Sequence, residues 1–305
     1  MKVLITGGTN GMGKGVAKVL ANYPGEKNEI LLVCRSVKLG QQTMDEIKMD
    51  NAFAKISMVI CDLSDMNSVK SAALEIKTKH DFIDSIFINA GIGYASCRVE
   101  TIDGMDSHFQ VNYLSQFYLA AQLLVLLEKS TRGGRVIYNA TPGGKIFWDD
   151  MQMIKNWNYV HAIQQAMVAK RMLLITLHDL YKRRSNKVSF IGFSIHKTVW
   201  SNQLNIIPTH MRIAATVMKA LGTFISIEEC GKTMAPLFLE TASETLARSG
   251  CLLTWKNGSF KTLEEDEEVL NMAKRKDLLD YSIHQCKDGS VEAVLDRLAK
   301  YEMNY

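Results

Sequence analysis

The sequence predicts an α/β protein: a doubly wound parallel sheet of about seven strands, with helices on both faces and a small substrate lobe. Three observations carry that prediction. Continuous apolar runs such as Glu29–Cys34 (EILLVC) read as strands covered on both faces. These runs alternate with longer segments of helical spacing, the order that right-handed crossovers between parallel strands produce. The first run, Val3-Leu4-Ile5, meets Thr6 and then glycines at 7, 8, 11, 13 and 15 before a helix begins. Such a turn leaves unpaired backbone N–H groups at a helix N-terminus, and these favour an anion, typically a pyrophosphate.

In order, Met12–Asn22 has helical spacing and stops near Tyr23-Pro24-Gly25. Glu29–Cys34 is the second strand, Val37–Met49 the second helix, and Lys55–Cys61 a third strand ending at Asp62. Asp65–Lys79 is the third helix, and Ser85–Ile88 a fourth strand ending in Asn89-Ala90-Gly91. A long helix is predicted from about Gly104 to Lys129, then a strand over Arg135–Asn139. Ala162–Lys182 is a strongly apolar helix and Val188–Phe193 a sixth strand. The stretch 194–225 is irregular and then amphipathic; its Met211, Ile213, Val217 and Met218 line a substrate lobe or cover the core, with the core favoured. Ile227–Ser249 is helical, Leu252–Trp255 a last strand, and 262–303 two charged helices. The acidic run EEDEE at 264–268 reads as a solvated helix face. No domain boundary is evident, so 1–305 is read as one domain with a C-terminal helical extension over about 262–305.

Composition narrows the function classes. With 47% hydrophobic residues, 22% charged residues and a net charge of +4, the chain has no basic stripe to recommend nucleic acid. Met1 runs directly into the first strand, leaving no room for a signal peptide, and the apolar stretch near Leu119–Leu127 is too short for a membrane span. Neither nucleic acid nor membrane is expected as a partner. Six cysteines without CxxC spacing suit free thiols in a reducing cytoplasm, and seven histidines without ligand spacing imply no metal.

Ligands in such sheets bind at the carboxyl ends of the strands. The unusual residues lie there: 7–13, 34–36, 62, 89–91 and 139–144. Arg35 and Ser36 follow the second strand, about twenty residues beyond the glycine loop. An acidic residue there would bind the ribose 2′-hydroxyl of NAD, whereas a guanidinium grips a 2′-phosphate with two hydrogen bonds; the preference is NADP(H).

TGGTNGMG at 6–13, VCR at 33–35, DLS at 62–64, NAG at 89–91 and VNYLSQF at 111–117 resemble the short-chain dehydrogenase/reductase family, most closely its retinol-dehydrogenase-like branch. The resemblance runs from Met1 to roughly Asn271 and implies one Rossmann domain with a small lid after the sixth strand. It implies that Gly7, Thr9, Asn10, Gly11, Met12 and Gly13 form the pyrophosphate loop and that Arg35 with Ser36 meets the 2′-phosphate. Asp62 and Leu63 would contact adenine, Asn89, Ala90 and Gly91 the ribose side, and Asn112 would belong to the catalytic tetrad. Family members often dimerise through two long helices, here about 104–129 and 160–182, so a homodimer is possible.

The catalytic half departs from the pattern. The family places a Ser after the fifth strand, then a Tyr and a Lys four residues apart on the next helix; the Tyr donates a proton and the Lys lowers its pKa and holds the nicotinamide ribose. Thr141 takes the serine position, Lys170 in AMVAKRM the lysine position, and Ala166 the tyrosine position. Tyr159 has Ile163 four residues on, so it cannot form the usual pair; Tyr159 and His161 stand as substitute donors. Where the branch carries Pro-Gly after the sixth strand this chain reads FSIHK (193–197). Three functions stay open: an atypical NADP(H)-dependent oxidoreductase acting on a hydrophobic small molecule; a cyclase, isomerase or lyase on the same scaffold; and a catalytically silent NADP(H)-binding regulator.

Overall fold

In a computed structural model of the chain, residues 1–184, 187–201 and 207–299 are described. The first half alternates as expected: β1 (Lys2–Thr6), α1 (Gly11–Ala21), β2 (Glu29–Cys34), α2 (Val37–Asp50), β3 (Lys55–Ile60), α3 (Met66–Lys79) and β4 (Ser85–Ile88). Next come α4 (Ser107–Phe109), a π-helical turn at Gln110–Leu114, α5 (Ser115–Leu127) and β5 (Gly134–Asn139). Then follow α6 (Tyr159–Arg184), β6 (Val188–Ser194), β7 (Thr198–Val199), α7 (Thr209–Ala220), β8 (Phe224–Ile225), α8 (Ile227–Leu239) and α9 (Ala242–Ala247). The chain closes with β9 (Leu252–Lys256), β10 (Ser259–Leu263), α10 (Glu267–Leu270), α11 (Met272–Cys286) and α12 (Gly289–Ala299).

Eight strands form the main sheet in the order β10-β9-β6-β5-β4-β1-β2-β3. All neighbours are parallel except β9 and β10. The strand order reverses between β1 and β4, so a crevice opens at their carboxyl ends. Alternation along β1 splits the core: Leu4 packs into one layer with α3, α5 and α6, while Val3 and Ile5 join the opposite layer with α1 and α8. The close crossing of α1 and α8 depends on Gly15 and Gly231, since a Cβ on Gly15 would overlap the Ile227 carbonyl and one on Gly231 the Gly15 carbonyl.

Several expectations need correction. The sheet has eight strands because Ser259–Leu263 pairs back on β9 across an Asn257-Gly258 turn with φ of 53° and 74°, the geometry a two-residue hairpin requires. The long helix begins at Ser107 rather than Gly104 and is interrupted by the π turn. The helix expected over Ile227–Ser249 divides at Glu240, and the C-terminal extension holds three helices rather than two.

The core assignment within the lobe also fails. Ile213, Val217 and Met218 are 61%, 57% and 49% exposed, and Ala215 is the buried residue of α7. The EEDEE run is a solvated face only in part: Glu264, Asp266 and Glu267 are exposed, but the Glu265 side chain is 8% exposed and pairs with the fully buried Arg171.

The helix face expected to mediate dimerisation is covered by the chain itself. Tyr113 pairs its hydroxyl with Ser282 at 2.8 Å, Tyr118 donates to Asp288 at 2.6 Å, and Gln122 donates to Ser290 at 2.7 Å. Leu278, Cys286, Val291 and Leu295 of α11 and α12 are buried in the same layer.

Candidate functional site

The crevice forms a cavity of about 570 Å³. One end is the glycine loop. Gly7 and Gly11 have φ of +67° and +51°, which side chains disfavour. A Cβ on Gly13 would lie 2.6 Å from both the Gly7 carbonyl oxygen and Asn89 Nδ2, so the loop can fold back only on glycine.

Thr6 and Gln116 hold this loop against β4, and sequence reasoning missed both. Thr6 Oγ1 accepts from the backbone N–H groups of Asn89 at 2.9 Å and Ala90 at 3.0 Å, and donates to Gln116 Oε1 at 2.9 Å. Gln116 Nε2 in turn donates to the carbonyls of Ala90 and Val111. A buried Thr at a strand end and a buried Gln on an apolar helix are weak signals alone; their meaning comes from facing each other. Asn89 belongs to the same brace, since its Nδ2 donates to Thr6 O at 3.1 Å.

The residues expected to meet the cofactor line this cavity, apart from Gly13, beneath the loop, and Lys170. At the far end Arg35 is exposed and no acidic side chain is paired with it among the described residues. Ser36 caps α2, its Oγ accepting from Leu39 N–H at 3.3 Å. Asp62 is half-buried and accepts from Ser64 Oγ at 2.6 Å and Ser64 N–H at 2.9 Å, which orients its carboxylate at the end of β3. The cradle, the exposed guanidinium and the carboxylate stand along one cavity and fit a nicotinamide dinucleotide.

The other end is mainly apolar: Ile92, Val111, Ile163, Met167, Ile195 and Val199 surround Asn112 and Asn139. Asn112 sits in the π turn, where the wider coil turns its side chain inward. Its Oδ1 accepts from Ile92 N–H at 2.7 Å and its Nδ2 donates to Ile92 O at 3.0 Å. Of the proposed catalytic residues, Asn112 lines the cavity; Thr141, Tyr159, His161 and Lys170 do not.

The structure corrects the reading of α6. Ile163 and Met167, one helical turn apart, face the cavity, whereas Ala166 is fully buried in the core. Lys170 lies behind the wall, 1% exposed, and donates to Asn139 O at 3.3 Å. Burial pushes its ammonium down to about 7. The position four residues before the cavity-facing Ile163 is therefore Tyr159, the spacing set aside in the sequence. Its ring packs edge-on against Tyr94 at 5.1 Å. Thr141 is exposed on the loop after β5, and His161 is exposed against Phe147.

The family model described as short chain dehydrogenase matches residues 1–150. Human Retinol dehydrogenase 12 is 24% identical over 277 residues, covering 89% of this chain and 84% of that protein. The WW domain-containing oxidoreductase of Drosophila melanogaster is 34% identical over 131 residues, 42% of this chain, so the chain spans 31% of that relative's length. Human Polyprenol dehydrogenase is 28% identical over 181 residues, 57% of this chain and 53% of that protein. Among solved structures, levodione reductase superposes with a TM-score of 0.64 at 18% identity, covering 84% of this chain and 96% of its own. An NADPH dependent reductase involved in bacilysin biosynthesis does so at 0.62 and 14%, covering 86% and 99%. At these identities the superpositions speak for the fold.

Proposed function

This chain belongs to the short-chain dehydrogenase/reductase family, retinol-dehydrogenase-like in character, and from that premise we propose that it is an NADP(H)-dependent oxidoreductase acting on a hydrophobic small molecule. The observation that carries the reading is one continuous cavity, running from the glycine cradle and unpaired Arg35 to an apolar end around Asn112. When bound, the nicotinamide supplies or accepts a hydride. The chain's own residues do the rest. Gly7 to Met12 and the α1 N-terminus hold the pyrophosphate, Arg35 holds the 2′-phosphate, and Asp62 the adenine. Asn112 fixes the backbone at Ile92 beside the reacting end, and the aliphatic wall excludes water.

Tyr159 is the proton donor to the substrate oxygen in this reading, supported by its spacing of four from Ile163. An isoleucine supplies no charge and no hydrogen bond to a ribose hydroxyl, so the pair is incomplete. That same substitution favours the second reading, a non-redox isomerase, cyclase or lyase with the nucleotide retained structurally. The unpaired state of all six cysteines supports a cytoplasmic location.

The test is a binding titration with NADPH and NADH, followed by turnover of hydrophobic carbonyl compounds read as loss of nicotinamide absorbance. Tighter binding of NADPH and net oxidation of it are expected. Product formation that persists with NADP⁺ alone would transfer the chain to the second reading, and failure to bind either nucleotide would overturn both.

A further inference from the structure

The loop between β5 and α6, residues 140–158, separates Asn139 on the cavity wall from Tyr159, and it is held from outside by the C-terminal segment at three stations. At the first, Arg171 of α6 donates Nη2 to Gly143 O at 2.9 Å and to Asp266 Oδ2 at 2.9 Å, while its Nη1 donates to Glu265 Oε2 at 2.6 Å. The Arg171 side chain has no exposure and that of Glu265 is 8% exposed, so this is a buried junction of loop, helix and tail. At the second, Trp148 Nε1 donates to Glu268 Oε1 at 2.9 Å, with Lys274 beside the same carboxylate at 3.4 Å. At the third, Gln152 Nε2 donates to the Tyr281 hydroxyl at 2.8 Å. Gln152 carries the hold inward, because its Oε1 accepts from Asp106 N–H at 2.7 Å, directly before α4 and the π turn that presents Asn112.

We propose that the segment Glu265–Tyr281 is a clasp whose role is to position the 140–158 loop, making Glu268 and Tyr281 positioning residues for the substrate end of the cavity. A loop of this length, with one 3-10 turn at Trp148–Asp150 as its regular structure, is costly to order by local contacts. Within it Met153 has φ of +47°, a region that a side chain disfavours, so this part of its path depends on contacts around it. Gln165 of α6 accepts from Phe147 N–H and donates to Met151 O, and Arg98 donates to Gln152 O; the C-terminal ties add constraint at Gly143, through Arg171, and at Trp148 and Gln152. They touch neither the glycine loop nor Arg35, so the clasp acts on one end of the cavity. Its catalytic consequence rests on the function proposed above; its structural consequence does not.

The experiment uses the full chain with Glu268→Ala, Glu268→Gln, Tyr281→Phe and the double Glu268→Ala/Tyr281→Phe. Amide hydrogen exchange over 141–158 is expected to rise more than about tenfold in the double variant, while exchange in β1 to β4 and NADPH affinity stay within about twofold. Glu268→Gln keeps an acceptor for Trp148 and should restore protection. With a turned-over substrate, kcat/KM for that substrate should fall at least about tenfold, with the KM for NADPH unchanged. Unchanged loop exchange in the double variant overturns the clasp, as does a uniform rise across β1 to β4, which would make the segment a general stabiliser. If no substrate is turned over by the unsubstituted chain, the proposed function fails while the exchange data still decide the clasp.

Discussion

The two halves of the cavity are built differently. The nucleotide end, from β1 to β4, is made of strand ends and the turns immediately after them, so each contact residue lies within a few positions of the strand that presents it. The substrate end is made of a π turn, a long loop and one face of α6, held by Gln165, Arg171 and a tail more than a hundred residues away. Local construction rests on glycine conformation and the turns at strand ends. Remote construction rests on ties between distant segments, and there Ile163 and Met167 of α6 form the wall.

The comparison can be broken most forcefully at Tyr159. Tyr159→Phe should lower kcat by about 10²–10⁴-fold, the usual effect of removing a positioned acid, and leave NADPH affinity within about twofold. An unaltered kcat would pass the role to Thr141, His161 or water. Next, Arg171→Met strands the Glu265 carboxylate in a buried site. Burial already raises its pKa, opposed by the Arg171 charge, so urea unfolding should show a loss of about 3–5 kcal/mol. A loss under about 1 kcal/mol would mean that the junction opens to water and is not a fixed tie.

A smaller effect sharpens the nucleotide end. Arg35→Ala should weaken NADPH by about 10–100-fold through loss of charge-assisted hydrogen bonds and leave NADH unchanged. Equal weakening of both would detach Arg35 from the 2′-phosphate. A last effect, read as a slope per pH unit, concerns Lys170. Its ammonium is depressed from 10.5 to about 7 by burial, so between those pH values the unfolded chain holds a proton that the folded chain has released. Stability should rise with pH across that window, by up to about 1.4 kcal/mol per unit. Lys170→Met should flatten that rise relative to the parent in denaturation series from pH 7 to 10. Identical slopes would show the ammonium to be solvated.

The legibility of the chain follows the same division. Glycines 7, 11 and 13 are readable because the local conformation demands them, and Arg35, Asp62 and Asn89 stand at strand ends along the same cavity. The misplaced lysine shows the opposite case. Both Lys170 and Ile163 suit an apolar helix, and which of them meets the cavity depends on the rotation of α6 about its axis, set by packing against β6, α4 and α11. The EEDEE run was misread for a related reason: composition describes a solvated face, but a buried arginine on another helix recruits two of its carboxylates.

Residue order alone was enough to place the parallel strands, the crevice at their carboxyl ends and the glycine loop that lines it, because apolar periodicity and glycine conformation act over a few residues. Folding alone decided that β10 extends the sheet, that α11 and α12 cover α5 and α6, and that Ile163 rather than Lys170 meets the cavity. Those outcomes depend on contacts between segments far apart in the chain, and nothing in the spacing of either segment specifies the other.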